Sequence, residues 1–182
     1  MTEPSAQKPP KKDYSMVVVV LLLLGAAGLA INQLSDSQLM KPNVTAPGFA
    51  FTRFEGGTVS SDQLKGRVVM LDFWATWCPP CREEMPYLVK VAREYEAKGV
   101  SFVAVSHDDP GEARQEIANF ARTIPGLSSY AAYGNEQASD AYLVEALPTL
   151  YVIDGKGRVV ASHQGLASER SVRKWLDEAL AQ

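Results

Sequence analysis

The only two cysteines of the chain stand together in Trp77-Cys78-Pro79-Pro80-Cys81. Two intervening residues keep both sulfurs within bonding reach, so the pair reads as a redox dithiol. It follows directly on the apolar run 68–74 and precedes a helix-like stretch beginning near Arg82. A helix start offers unpaired backbone N–H groups and a partial positive charge, and both favour a thiolate. Cys78 is then expected to be the exposed nucleophile at the cap, and Cys81, one turn inward, the resolving thiol that closes the disulfide. Pro79 and Pro80 suit a first turn, where a missing N–H costs little. The N–H groups of Cys81 and Arg82 remain as the expected donors to the thiolate.

Other chemistries of a Cys-x-x-Cys pair ask for residues in other places. A zinc site needs two further ligands, and His107 and His163 are not in a ligand-like spacing. Haem attachment needs His directly after the second Cys, where this chain has Arg82. An inert short-loop disulfide is the remaining structural alternative. No metal and no cofactor is expected.

Asp72 is a carboxylate inside an otherwise apolar strand, six residues before Cys78. Burial raises a carboxyl pKa, so Asp72 is suited to take the proton of Cys81 as that thiol attacks a mixed disulfide. Pro148, in Ala146-Leu147-Pro148-Thr149, precedes a strand whose ladder it cannot donate to. A cis bond there would present the backbone of Leu147 to an extended substrate. Trp77, beside the nucleophile, reads as an apolar lip for protein substrates, and Trp74 as core. Glu83 and Glu84 read as favouring the helix start electrostatically. His107 and His163 read as ordinary loop residues.

These residues need a scaffold. Phe49, Phe51 and Phe54 flank a turn at Gly56-Gly57 and suggest a hairpin, followed by Val59 and a helical turn at residues 61–64. The run 68–74 is apolar at both parities, as in a central strand buried on both faces. Met85, Leu88, Val89, Ala92 and Tyr95 recur at helical spacing up to Gly99, with Pro86 as an expected kink. Beyond it the pattern predicts a strand over 100–105, a helix over 112–123, a strand over 128–133 and a short helix over 136–144. A hairpin of 150–153 and 159–162 about Asp154-Gly155-Lys156-Gly157 and a helix over 169–180 close the chain. Alternating strands and helices with a terminal hairpin predict an α/β domain.

The chain of 182 residues is 46% hydrophobic and 21% charged, with formal charge −3, and its one basic group of Lys8, Lys11 and Lys12 gives no case for nucleic acid. Residues 16–31 carry no charge. Lysines before this run and none directly after it predict an uncleaved signal anchor: a cytoplasmic tail over 1–15, a transmembrane segment over 16–34, a linker over 35–45 and the folded domain over 46–182 outside the cytoplasm. The rival is cleavage after Gly28-Leu29-Ala30.

From Ala46 to the C-terminus the sequence resembles membrane-anchored thioredoxin-like proteins of the TlpA and ResA kind. The likeness is carried by Ala46-Pro47-Gly48-Phe49, by residues 64–69, by the run from Asp72 to Pro86 about the dithiol, and by residues 147–154. It implies a thioredoxin fold with an N-terminal β extension and an inserted segment between Cys81 and Pro148, which lie 67 residues apart. It further implies a cis Pro148, attack by Cys78 and resolution by Cys81. Many relatives carry Asn or another residue where this chain has Asp72, which matches cytoplasmic thioredoxin instead. The family's usual role implies a single-pass protein of the bacterial cytoplasmic membrane that reduces protein disulfides on the periplasmic side. Apocytochrome c before haem attachment is often the substrate, and electrons come from a membrane thiol donor of the DsbD or CcdA type.

Several functions are compatible with such a dithiol. A reductase, a dithiol oxidase and an isomerase differ in reduction potential, which the motif leaves open. A peroxidase of this fold would want Thr three residues before the nucleophile, where this chain has Ala75. A copper-binding or redox-sensing module would use the sulfurs as soft ligands or as a switch, although copper carriers on this fold place three residues between the cysteines and add a His.

Overall fold

The computed structural model describes residues 39–109, 111 and 113–182. The expected cytoplasmic tail and membrane anchor, with the first residues of the linker, lie outside the described residues. Among the described residues no helix is long and apolar enough to cross a membrane.

Seven strands form one mixed sheet in the order β2-β1-β5-β4-β3-β6-β7. They are β1 (Ala50–Arg53), β2 (Thr58–Ser60), β3 (Val68–Trp74), β4 (Val100–Ser106), β5 (Ala131–Tyr133), β6 (Thr149–Ile153) and β7 (Val159–Gln164). The helices are α1 (Pro79–Glu96), α2 (Ala113–Ala121), α3 (Leu127–Tyr130), α4 (Glu136–Ala141) and α5 (Glu169–Leu180). β3 lies at the centre, parallel to β4 and antiparallel to β6, with every residue buried. Its alternation sorts the two layers. Val68, Met70 and Trp74 face the core built with α1 and α5, whereas Val69, Leu71 and Phe73 face the core closed by α4 and residues 39–49. Asp72 has the parity of Met70 and Trp74 and so points toward α1.

The expected thioredoxin-like α/β arrangement is present, and several boundaries differ from the sequence reading. α1 begins at Pro79 rather than near Arg82, because Cys78 itself is the N-cap and the two prolines fill the first turn. The helix runs on through Pro86. The segment 128–133 divides into α3 and the three residues of β5, since Gly126 at φ 89° starts a helical turn there. α4 stops at Ala141, and Leu143 turns the chain at φ 53°. Residues 39–45, placed in the linker by sequence, lie along β7: the Asn43 N–H donates to the Val159 carbonyl and the Val159 N–H to the Val44 carbonyl, at 2.8 and 2.9 Å.

The loop that carries the dithiol out of β3 is fixed by a buried side chain from the next crossover. Asp108 accepts from the Thr76 N–H at 3.0 Å, from Thr76 Oγ1 at 2.6 Å and from Ser106 Oγ at 2.6 Å. His107 N–H donates to the Trp74 carbonyl at 2.7 Å, which ties the ends of β3 and β4 together. Asp108→Ala leaves Thr76 without its acceptor in a buried place. It is expected to lower stability by roughly 2–3 kcal/mol, read as a shift of the urea midpoint.

Candidate active site

Cys78 and Cys81 form a disulfide with an S–S distance of 2.04 Å. Cys78 caps α1, and its Sγ accepts from the Cys81 N–H at 3.3 Å. The Arg82 N–H, also expected to face the sulfur, instead donates to the Cys78 carbonyl at 3.1 Å. The prolines account for this division: with no N–H at Pro79 or Pro80, the first available amide reaches the sulfur and the next closes the helix. Cys78 is only 3% exposed and Cys81 is fully covered, so the Cys78 sulfur opens through a groove rather than onto an open surface.

That groove has a volume of about 500 Å³ and is bordered by Trp77, Pro79, Pro80, Ala146, Leu147 and His107 as well as Cys78. Trp77 is 66% exposed and forms one lip. The opposite lip is the turn before β6, where the Leu147-Pro148 peptide bond is cis. Thr149 Oγ1 donates to the Ala146 carbonyl at 2.6 Å and the Gly165 N–H to the Pro148 carbonyl at 2.8 Å, so the turn is held from both sides. His107 reaches the groove through its position at the end of β4, with its ring edge-on to Phe73 and Nε2 3.4 Å from Ser139 Oγ. Burial holds its pKa below the ordinary value, against the pull of Asp108. His163 lies elsewhere, beside Trp175.

On the side of β3 that faces α1 the structure brings together two carboxylates. Asp72 is fully buried and neither oxygen has a hydrogen-bond partner. Burial, followed by the nearby Glu84 carboxylate, pushes its pKa well above the ordinary range. Glu84 is equally buried: Oε2 accepts from the Ala167 N–H at 3.1 Å, and Oε1 has no partner. Burial raises its pKa to about 7, while the Ala167 N–H and the Tyr87 hydroxyl draw it down. The sequence reading placed Glu84 with Glu83 as a helix-start charge. Glu83 is exposed, but Glu84 follows Cys81 by three residues and therefore shares its inward face. The spacing Cys81, Glu84, Met85, Leu88 on one helical stripe was the available signal.

Comparison with known proteins agrees with this geometry. A redoxin family model matches residues 41–180. The chain belongs to the redoxin family. It is similar to the thiol-disulfide oxidoreductase ResA of Bacillus anthracis, with 33% identity over 162 residues covering 88% of this chain and 92% of that protein. The ResA of Bacillus subtilis (strain 168) is 29% identical over 172 residues, covering 93% and 94%. Among solved structures, a thiol:disulfide interchange protein of the thioredoxin family from Chlorobium tepidum TLS superposes with TM-score 0.66 at 27% identity, covering 78% of this chain and 98% of that one. The chain is an oxidoreductase of the thiol-disulfide kind.

Both buried carboxyls hold a proton in the native protein over a pH range in which the unfolded chain has released it. Native protein therefore binds more protons than unfolded protein, and stability falls as pH rises. For Glu84 the interval runs from its ordinary 4.5 to about 7, and the loss across it is roughly 3 kcal/mol, with Asp72 acting in the same direction. The oxidised protein is expected to be more resistant to urea at about pH 5 than at about pH 8, and Glu84→Gln to remove the Glu84 share of that difference.

Proposed function

We propose that this chain is an extracytoplasmic reductase of protein disulfides, working by dithiol exchange through Cys78 and Cys81. The observation that carries the proposal is the alignment of three features. A disulfide-forming pair caps a helix, a cis-proline turn faces it across a groove, and two carboxyls, Asp72 with no hydrogen-bond partner and Glu84 with one, are buried on the side of β3 that faces that helix.

In the reduced protein the Cys78 thiolate, stabilised by the Cys81 N–H and the helix start, attacks one sulfur of a substrate disulfide. A Cys78-substrate disulfide forms, and the other substrate sulfur leaves as a thiolate and takes the proton of Asp72. Cys81 then gives its proton to ionised Asp72 and attacks Cys78 Sγ. The Cys78-substrate bond breaks, the second substrate sulfur leaves as a thiolate and is protonated by water, and the Cys78–Cys81 disulfide remains. The substrate has gained two electrons and one proton from the protein and a second proton from water, and the protein has lost two electrons and the proton of Cys81. A base inside an apolar pocket suits this transfer, because burial brings the Asp72 pKa toward that of a thiol, about 8.5. Leu147 offers its backbone and Trp77 an apolar lip to an extended polypeptide.

The proposal includes the anchor read from the sequence: residues 16–34 in the bacterial cytoplasmic membrane, the tail 1–15 inside, and the domain from residue 46 outside. Electrons then arrive from a membrane dithiol donor of the DsbD or CcdA type, and disulfides of apocytochrome c are within the substrate range.

The reduction potential of the Cys78–Cys81 pair, equilibrated against a thiol buffer, is the first test. A value near thioredoxin's, about −270 mV, supports a reductase, whereas one near DsbA's, about −120 mV, makes the protein an oxidant and overturns the proposal. Cys78→Ser is expected to abolish turnover. Cys81→Ser is expected to accumulate mixed disulfides with substrate, seen as a reductant-sensitive mass increase. Asp72→Asn is expected to slow the resolving step about tenfold or more near neutral pH, and an unchanged resolution rate in stopped-flow quenching would remove Asp72 from the mechanism.

A further inference from the structure

At the opposite end of the sheet from the disulfide, the structure holds a second cavity, of about 470 Å³, that carries a concentration of positive charge. Arg53 from the end of β1, Arg67 from just before β3 and Arg93 from the last turn of α1 all line it. It exists because the sheet is incomplete there. β3 pairs with β4 along residues 100–106, but β5 joins the other side of β4 only along 104–106. Residues 100–103 of β4 therefore border an open notch, and all four line the cavity.

The guanidinium groups are held by neutral acceptors. Arg67 Nε donates to Ser101 Oγ at 2.6 Å and its Nη2 to the Val100 carbonyl at 2.8 Å. Arg53 donates to the Ser129 carbonyl at 3.4 Å, and Arg93 to the Pro125 carbonyl. The Arg93 guanidinium lies against Gly126, where a Cβ would run into it and where φ is 89°. Among the described residues, Arg158 and Arg173 make ion pairs with carboxylates and these three arginines make none. Glu96 is the one carboxylate among the lining residues. Each guanidinium has five N–H donors, so donors remain on all three after the bonds just named. Half-buried Tyr130 supplies aromatic surface beside them, with Phe102 packed behind it and almost fully covered.

Three cations on three separate elements, fixed by carbonyls rather than neutralised, are suited to an oxyanion with two or more acceptor oxygens. We propose that this cavity is a binding site for a small organic oxyanion, a phosphate monoester or a carboxylate, whose apolar body rests on Tyr130. Repulsion among the arginines is relieved when the anion enters, and Glu96 limits its affinity. The dithiol is at the other end of β3, so the anion does not touch the reacting sulfurs.

Calorimetric titration of the full-length protein with phenyl phosphate, inorganic phosphate and benzoate tests this. The two aromatic probes separate a phosphate from a carboxylate head group, and inorganic phosphate reports the share of the apolar body. Saturable binding of phenyl phosphate or benzoate is expected, with phenyl phosphate tighter than inorganic phosphate. Arg53→Gln and Arg93→Gln are each expected to weaken it about tenfold, and Glu96→Gln to strengthen it, with the potential of the Cys78–Cys81 pair unchanged. Opposite signs from Glu96 and the arginines distinguish a site from loss of folding. The proposal is overturned if no probe binds more tightly than about 1 mM, or if the arginine and Glu96 variants bind as the parent does.

Discussion

The constraint on which the site depends is the burial of Asp72 and Glu84 without a cation to neutralise them. An isolated carboxylate in an apolar interior costs many kcal/mol, and a carboxyl meets that cost by holding its proton. Among the described residues neither group is paired with a Lys or Arg, and Asp72 lacks even a hydrogen-bond donor. The surrounding fold has to enforce this arrangement. β3 is locked between β4 and β6 along its length, so Asp72 cannot turn outward without moving a strand buried on both faces. Met85 and Leu88, on the same stripe as Glu84, dock α1 into the core and carry the second carboxyl with them. The loop before α5 supplies the one N–H, from Ala167, that Glu84 receives.

Rigid elements hold the rest of the site, which lowers the cost of ordering a substrate within it. Asp108 fastens the loop that leads into Cys78. Thr149 and Gly165 fasten the cis-proline turn. Tyr142 and Tyr151, packed near Phe73 on the far face of β3, tie that layer down through hydroxyl bonds to the Pro47 and Tyr142 carbonyls. The sulfurs thus lie between two fixed lips, and the groove between them leads to the 3% of Cys78 that remains exposed.

The dithiol, Asp72 and the proline turn were legible in the sequence because each breaks a local rule: paired cysteines beside prolines, an acid in an apolar strand, a proline at the start of a strand. Glu84 broke no rule. An acid near a helix start is favoured on general grounds, and only the helical phase set by Cys81 distinguishes it from Glu83. Asp108 was hidden for a related reason, since an acidic loop after a strand is ordinarily solvated and its capture of Thr76 depends on a contact 32 residues away in sequence. The central strands and long helices followed from periodicity. The pieces that did not, residues 128–133 and 39–45, are short. In the first, Gly126 decides the local path; in the second, pairing with β7 is a long-range contact that no local pattern announces.

In the proposed cycle the two carboxyls also link proton movement to electron movement. In the oxidised protein the sulfurs are uncharged, and the apolar pocket favours protons on Asp72 and Glu84. Reduction places a thiolate on Cys78 above them, a further negative charge that favours those protons still more. Once Cys78 is consumed in a mixed disulfide that charge is gone, and Asp72 can release its proton toward the departing substrate thiolate. Asp72 is then ionised, with a proton affinity that burial has already raised, at the step where Cys81 must lose its proton to attack. One negative charge thus moves from Cys78 to Asp72 and leaves with the second product sulfur, and burial of Glu84, which raises its pKa to about 7, limits a second charge beside it. A low-dielectric site can tolerate electron transfer on those terms, because the cost of accumulating charge there would otherwise enter the barrier of each step.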